Sequence, residues 1–329
     1  MYLKTTFTLS LTIDSERFYK LLHKAELRSE YESYNDEADF VDNDMTHKGL
    51  TVIYQNKIYK KKLKLLISAN TIIDNDDINA DRLLLKLEKR IAKYFKGKYQ
   101  LKDFTLTGMN LYSDINVQSR EGVKEYINIM HRIGRVKGYS QSESNPFDDD
   151  ISYWLSGNSN HIEFFVLDLE GALKSQLKDI DDNRKQLKSI KDDSAGILRV
   201  EVRLTKAKAI RAFTTGTIVS VQLAELVEKR QYIYFELFYS IIPFGDFYKK
   251  EKTIELIRGN KDIDTTIKRK MIRLVELIPE KRSLLLAQKA LDYRRIDEVM
   301  ERFSDIEVSP VTISKRADVK HLQNLIKYM

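Results

Sequence analysis

The chain has 329 residues, 42% of them hydrophobic and 32% charged, with 56 Lys and Arg against 49 Asp and Glu and no cysteine. That length supports one large domain or a domain with a smaller partner, each with a buried core. The lack of cysteine removes disulfides, thiolate zinc sites and cysteine catalysis together. No apolar run approaches the eighteen or so residues of a membrane helix, and the opening MYLKTTFTLSLTI alternates like a strand, with no signal-peptide h-region. A cytoplasmic protein without a membrane partner is therefore expected. Residues 1–150 hold 24 basic and 23 acidic side chains, whereas 151–329 hold 32 and 26, so the net +7 lies mostly in the second part. A basic surface suits a phosphate-bearing partner, because each neutralised phosphate releases condensed counterions. An ordinary solvated, lysine-rich surface has the same arithmetic.

In chain order, Tyr2–Ile13 reads as a strand, and Asp14 or Ser15 caps a helix through Leu27. Residues 29–47 are an acidic run containing no Lys or Arg, which reads as an exposed loop since ligand convergence is not implied by acidity. Strands follow near Leu50–Gln55 and Ile58–Ala69, the second carrying Lys60, Lys61, Lys62 and Lys64. Residues 78–95 form an amphipathic helix with Leu83, Leu84, Leu87 and Ile91 on one stripe. Phe104–Val117 is a long strand and Glu121–Ile133 a helix that stops at Gly134. Residues 140–150 form a polar loop. Ile151–Leu155 and Ile162–Asp168 flank the hairpin chemistry Ser156-Gly157-Asn158-Ser159-Asn160. A charged helix over 169–191 precedes the strand Ile197–Leu204, and the rest is predicted helical: 206–229, 230–242, 264–278, 284–290, 293–304 and 313–327. The expected architecture is α+β: an antiparallel-sheet domain over 1–215 with helices on one face, then a helical region over 216–329.

Alternation sorts the two polar strands. Asn110, Tyr112 and Asp114 share one face of the first, with Met109, Leu111 and Ile115 on the other; Arg199, Glu201 and Arg203 share one face of the second. If both apolar faces pack on helices, Asp114 and Glu201 aim at one open surface. Two carboxylates with an amide suit Mg2+ or Mn2+, which take oxygen ligands. Charges alternating across an exposed sheet face, paired Arg to Glu, give the same pattern without a metal. His131 and His161 lack His-x-His spacing. Trp154, Phe164, Phe165 and the helical stripe Tyr232, Tyr234, Phe235, Phe238 and Tyr239 read as core before base-stacking platform. No Walker loop, dinucleotide fingerprint or G-x-S-x-G elbow occurs.

Three segments in order, TLTGMNLYSDINVQSREGVKEYINIMHR, GNSNHIEFFVLDLEGALK and GILRVEVRLTKAKAIRAF, resemble the rolling-circle replication initiators of the filamentous-phage gene II/X type and their relatives on Gram-positive plasmids and integrative elements. The third looks like the family's L-R-x-E-x-R strand and is the most specific. The resemblance covers about 100–215, and the tail SPVTISKRADVKHLQNLI is similar to tails of such proteins. It implies a Rep/relaxase-like domain that nicks and rejoins one DNA strand through a tyrosine and a divalent metal, Mg2+ or Mn2+. A free 3′-hydroxyl then primes synthesis. Origin DNA, single- and double-stranded, is the implied partner, with host helicase and polymerase.

Residue by residue, Glu201 falls on the motif glutamate and Arg199 and Arg203 on its arginines. Together with Lys206, these arginines are expected to contact DNA. The family's aspartate position holds Asn110, with Asp114 four residues on and on the same face; Asp114, Glu201 and Asn110 are the expected metal ligands. The family's nucleophile position falls on Leu167, and leucine cannot attack phosphate. Tyr112, which shares the face of Asn110 and Asp114, is the better-placed substitute and is assigned with Glu201 to catalysis. Tyr153, placed opposite Phe164 by a turn at Asn158-Ser159, faces away, and Tyr126 lies on a helix. Two readings from other classes stay open: a catalytically inactive DNA-binding relative that regulates replication or transcription, and an interaction protein that binds no nucleic acid.

Overall fold

The computed structural model describes residues 3–27, 39–74, 77–142, 145–177 and 193–329. Nine strands form one antiparallel sheet. They are β1 (Lys4–Ile13), β2 (Phe40–Asp42), β3 (Leu50–Lys57), β4 (Lys60–Ser68), β5 (Thr105–Asn116), β6 (Tyr139–Gln141), β7 (Ser152–Gly157), β8 (Ile162–Asp168) and β9 (Ile197–Leu204). Their order across the sheet is β2-β3-β4-β1-β5-β9-β8-β7-β6. Helices α1 (Ser15–Glu26), α3 (Ala80–Tyr94), α4 (Arg120–Ile133), α6 (Ala207–Phe213) and α7 (Val219–Ile241) bury their apolar stripes with the inward side chains of the sheet. Short α2 (Ala69–Ile73) follows β4, and α5 (Leu169–Leu177) follows β8.

The sequence signals act locally as expected. Asp14 caps α1 by accepting from Arg17 N, Asn79 caps α3 through Arg82 N, and Ser119 caps α4 through Gly122 N. Phe7 and Leu9 of β1, Val52 and Tyr54 of β3, and Leu63, Leu65 and Ile67 of β4 all lie on the buried face.

The β3–β4 hairpin turns where the buried face demands, not where the turn residues stand. Leu50 pairs with Ile67, Val52 with Leu65 and Tyr54 with Leu63, which puts the β3–β4 turn at Ile58-Tyr59 and not at Asn56-Lys57. A one-residue slip would carry every one of these side chains into solvent. In the β7–β8 hairpin Tyr153 lies opposite Val166, two positions from the expected Phe164, because the loop runs to His161 in the left-handed region. A two-residue shift keeps the face, so Tyr153 is buried on the core side, where its hydroxyl donates to Gly134 O.

The C-terminal part departs further. Instead of helices 206–229 and 230–242, α6 ends at Phe213 and α7 runs unbroken from Val219 to Ile241. The Thr215 and Gly216 N–H groups donate to the Glu225 carboxylate in the break between them. Helices α8 (Lys250–Gly259), α9 (Thr265–Lys281), α10 (Leu284–Leu291) and α11 (Ile296–Asp305) follow, the first of them unexpected. Residues 313–327 are not the expected helix. They form an extended strap whose β11 (His321–Leu322) pairs with β10 (Phe247–Tyr248). Asp246 and Asn324 tie it down: Asn324 N donates to Asp246 Oδ1, and Asn324 Nδ2 donates to Pro243 O and Gly245 O. These tertiary bonds override helical propensity. Helix α7 packs on α3 and β5, and one apolar cluster runs from Leu3 to Leu325. Of the expected helix 169–191, residues 178–192 lie outside the described residues, as do 28–38 of the acidic run. No helix among the described residues is long and apolar enough to cross a membrane.

Candidate functional site on the open sheet face

Strands β5 and β9 are neighbours in the middle of the sheet, with Met109, Leu111, Ile115, Leu198, Val200 and Val202 buried on the core side. Their alternate residues therefore point the other way, in rows continued by β8. Asn110 lies opposite Arg203, which lies opposite Glu163; Tyr112 opposite Glu201, then Phe165; Asp114 opposite Arg199, then Leu167. The structure thus brings Asn110, Tyr112, Asp114, Arg199, Glu201 and Arg203 onto one face, with Asp114 and Glu201 diagonal neighbours. Lys206 is exposed just beyond the end of β9, where α6 begins.

Each carboxylate is taken by a guanidinium. Arg199 Nε donates to Asp114 Oδ1 at 2.6 Å and Nη2 to Oδ2 at 3.0 Å, and Lys4 Nζ reaches Oδ2 at 3.1 Å. Arg203 Nη2 donates to Glu201 Oε2 at 2.9 Å, and its Nε stands 2.9 Å from Oε1 without hydrogen-bond alignment. Both guanidinium groups also stand over aromatic rings: Arg199 Cζ is 4.3 Å from the Tyr112 centroid and Arg203 Cζ is 5.0 Å from that of Phe165. Burial pulls the Asp114 carboxyl upward, but Arg199 and Lys4 outweigh it and hold it below the usual carboxylate range. Burial likewise opposes the charge on Arg199 and Arg203, yet Asp114 and Glu201 raise them. Glu163 goes the other way, raised chiefly by its own desolvation.

The oxygens that would ligate Mg2+ or Mn2+ already accept from arginine, and the described residues contain no group of three His, Cys, Asp or Glu placed to hold a metal ion. A cation would require both arginines to swing off. The Tyr112 hydroxyl, by contrast, has no hydrogen-bond partner among the described residues. Leu167 is 6% exposed and packs with Phe165, Ala172 of α5, Phe147 and Trp154 in a second apolar cluster on this face. Helix α5 and the loop carrying Phe147 therefore roof the β7–β8 end.

Lys4, Glu163 and Phe165 were not singled out as site residues. Glu163 and Phe165 share the alternation of Leu167, so strand order alone would have found them; Lys4 arrives through pairing of β1 with β5, more than a hundred residues apart. His131 has a structural role, its Nε2 2.8 Å from Asp149 O and 3.0 Å from Ser152 O. His161 sits in the hairpin loop, while Tyr234 and Phe238 are fully buried. Tyr126 is buried and donates to Gln323 O.

No protein-family model matches the chain. No curated protein matches it either. A solved structure described as the rolling circle replication initiator protein from Geobacillus stearothermophilus aligns over 95% of this chain and 99% of that one, at 11% identity and a TM-score of 0.29.

Proposed function

We propose that the chain is a replication initiation protein of the rolling-circle type that binds origin DNA on the open sheet face. The observation that carries this reading is the position of the LRVEVR strand. It occupies the middle of the sheet and turns Arg199, Glu201 and Arg203 outward, as the resemblance to the L-R-x-E-x-R motif requires. The face continues across β1 and β4 with Thr6, Thr8, Ser10, Lys62 and Lys64, which offer hydroxyl and ammonium donors to phosphate. Arg199 and Arg203 serve as phosphate ligands, since a bidentate guanidinium exchanges carboxylate for phosphate with little change in geometry. Fluorescence anisotropy with single-stranded and duplex origin oligonucleotides, titrated with salt, tests it. Affinity should fall steeply as salt rises, and Arg203→Gln should lower both affinity and slope. Absence of binding at low salt would refute the reading.

Strand nicking is a second reading, favoured by one observation: Tyr112, whose hydroxyl has no hydrogen-bond partner among the described residues, lies directly opposite Glu201 and shares its face with Asp114. In that chemistry the Tyr112 oxygen bonds to the scissile phosphorus, and the 3′-oxygen leaves as a free hydroxyl. Supercoiled origin plasmid incubated with protein and Mn2+ separates the two. Relaxed circles with a covalent adduct lost in Tyr112→Phe support nicking, whereas DNA binding without either supports the inactive relative.

A further inference from the structure

The β3–β4 hairpin has a composition unlike the rest of the chain. From Leu50 to Ser68 it carries Lys57, Lys60, Lys61, Lys62 and Lys64 and no acidic residue. Lys57 is 3.8 Å from Asp39, and Lys61 donates to Lys57 O and Asn56 Oδ1, so these two are engaged. Lys60, Lys62 and Lys64 have no carboxylate partner among the described residues. Lys62 and Lys64 stand on the open face in register with Thr12 and Ser10 of β1.

The tip is stranger still. A two-residue hairpin loop favours Asn, Asp or Gly with positive φ. Here the loop is Ile58-Tyr59, neither residue has positive φ, and the side chains stand 78% and 98% exposed. Neither turn chemistry nor the core accounts for two large apolar side chains there. An exposed aromatic ring beside uncompensated lysines is the combination that stacks an unpaired base while its phosphates are neutralised. Paired bases inside a duplex offer no such ring face, so a single strand is the better fit.

We propose that this hairpin is a single-strand-binding tongue: Tyr59 stacks on an unpaired base, Ile58 packs at its edge, and Lys60, Lys62 and Lys64 hold the flanking phosphates. It rests on the DNA-binding reading and gives it a substrate class and a second contact point. Lys64 lies three strand spacings across and four residues along from Arg203, about 20 Å in all, and Tyr59 lies about 17 Å farther along the strand.

The test is fluorescence anisotropy with a single-stranded oligonucleotide and its duplex, together with 2-aminopurine emission to report stacking. Tyr59→Ala should weaken single-strand binding about tenfold, abolish the 2-aminopurine quench and leave duplex binding nearly unchanged. Lys60→Ala, Lys62→Ala and Lys64→Ala combined should lower the single-strand salt slope by about two. The control Lys89→Ala, Lys93→Ala and Lys98→Ala should do neither. If wild type binds a single strand and the tongue variants bind it equally well, the tongue is refuted while DNA binding stands. If the variants lose binding to phosphatidylserine vesicles but not to DNA, the tongue is a lipid contact and the proposal fails. If wild type binds no DNA, both readings fall.

Discussion

Arg199 grips Asp114 through two N–H···O contacts while its Cζ stands 4.3 Å from the centroid of the Tyr112 ring. Two named groups of the open face are thus fixed by one guanidinium. Arg199→Ala would leave the Asp114 carboxylate, largely desolvated, with Lys4 alone. Because both side chains keep some solvent contact, the loss should be about 1–3 kcal/mol, below that of a fully buried pair. Urea denaturation of Arg199→Ala, Asp114→Asn and the double variant should show the double costing less than the two singles summed. Additive losses would mean the pair is not coupled.

Leu167 holds the roof over the other end of the face. With Phe165 and Ala172 it forms the small cluster that seats α5. Leu167→Ala should therefore cost about 2–3 kcal/mol and speed hydrogen exchange across Leu169–Leu177 more than across β9. Exchange rising equally in both would show that α5 is not separately anchored by this side chain.

The sheet was legible wherever one face is buried. Alternation alone sorted Asn110, Tyr112 and Asp114 onto one face of their strand and Arg199, Glu201 and Arg203 onto one face of theirs, and β9 begins and ends where its apolar pattern does. Strand neighbours were less accessible. Nothing local in Lys4 says that it will meet Asp114, since that contact depends on which strands pair. The arginine pairing was visible only as one of two open readings, because a strand face bearing Arg-x-Glu-x-Arg suits a metal ligand and a salt-bridge ladder alike. The C-terminal strap was misread for a different reason. KHLQNLIKY has helical spacing, but Asn324 finds better partners in Pro243 O, Gly245 O and Asp246 than a helix would offer.

That strap should loosen in acid. The Asp246 carboxylate accepts from Asn324 N at 2.8 Å and His321 Nε2 at 3.1 Å and pairs with Lys327 Nζ at 2.9 Å. Burial raises its pKa, but these partners outweigh it and the carboxyl sits below its ordinary value. A folded pKa below the unfolded one gives stability that is complete above about pH 4 and lost as pH falls through the lowered folded value. Hydrogen exchange across 321–328 should accelerate in that window in the native chain. In Asp246→Asn it should be fast already at neutral pH and show no further step, because an amide does not titrate there. An acid step retained in Asp246→Asn would assign the transition to another group.

Gly245 sets how closely residues 308–309 can approach. Its φ is +88°, and a Cβ built on it would stand 2.4 Å from Val308 C, 2.5 Å from Val308 N and 2.7 Å from Ser309 N, all backbone atoms. An alanine there must both adopt a left-handed conformation and push 308–309 away from Asp246, whose N–H and C=O bond to Glu307 O and Ser309 N. Gly245→Ala should therefore cost about 3 kcal/mol or more, combining backbone strain with overpacking. Gly97 supplies the comparison, since its φ is +74° but nothing lies within 4 Å of its Cβ position. Gly97→Ala isolates the conformational part at about 1 kcal/mol. Equal shifts in urea midpoint for the two variants would mean that the close approach of Val308 contributes nothing.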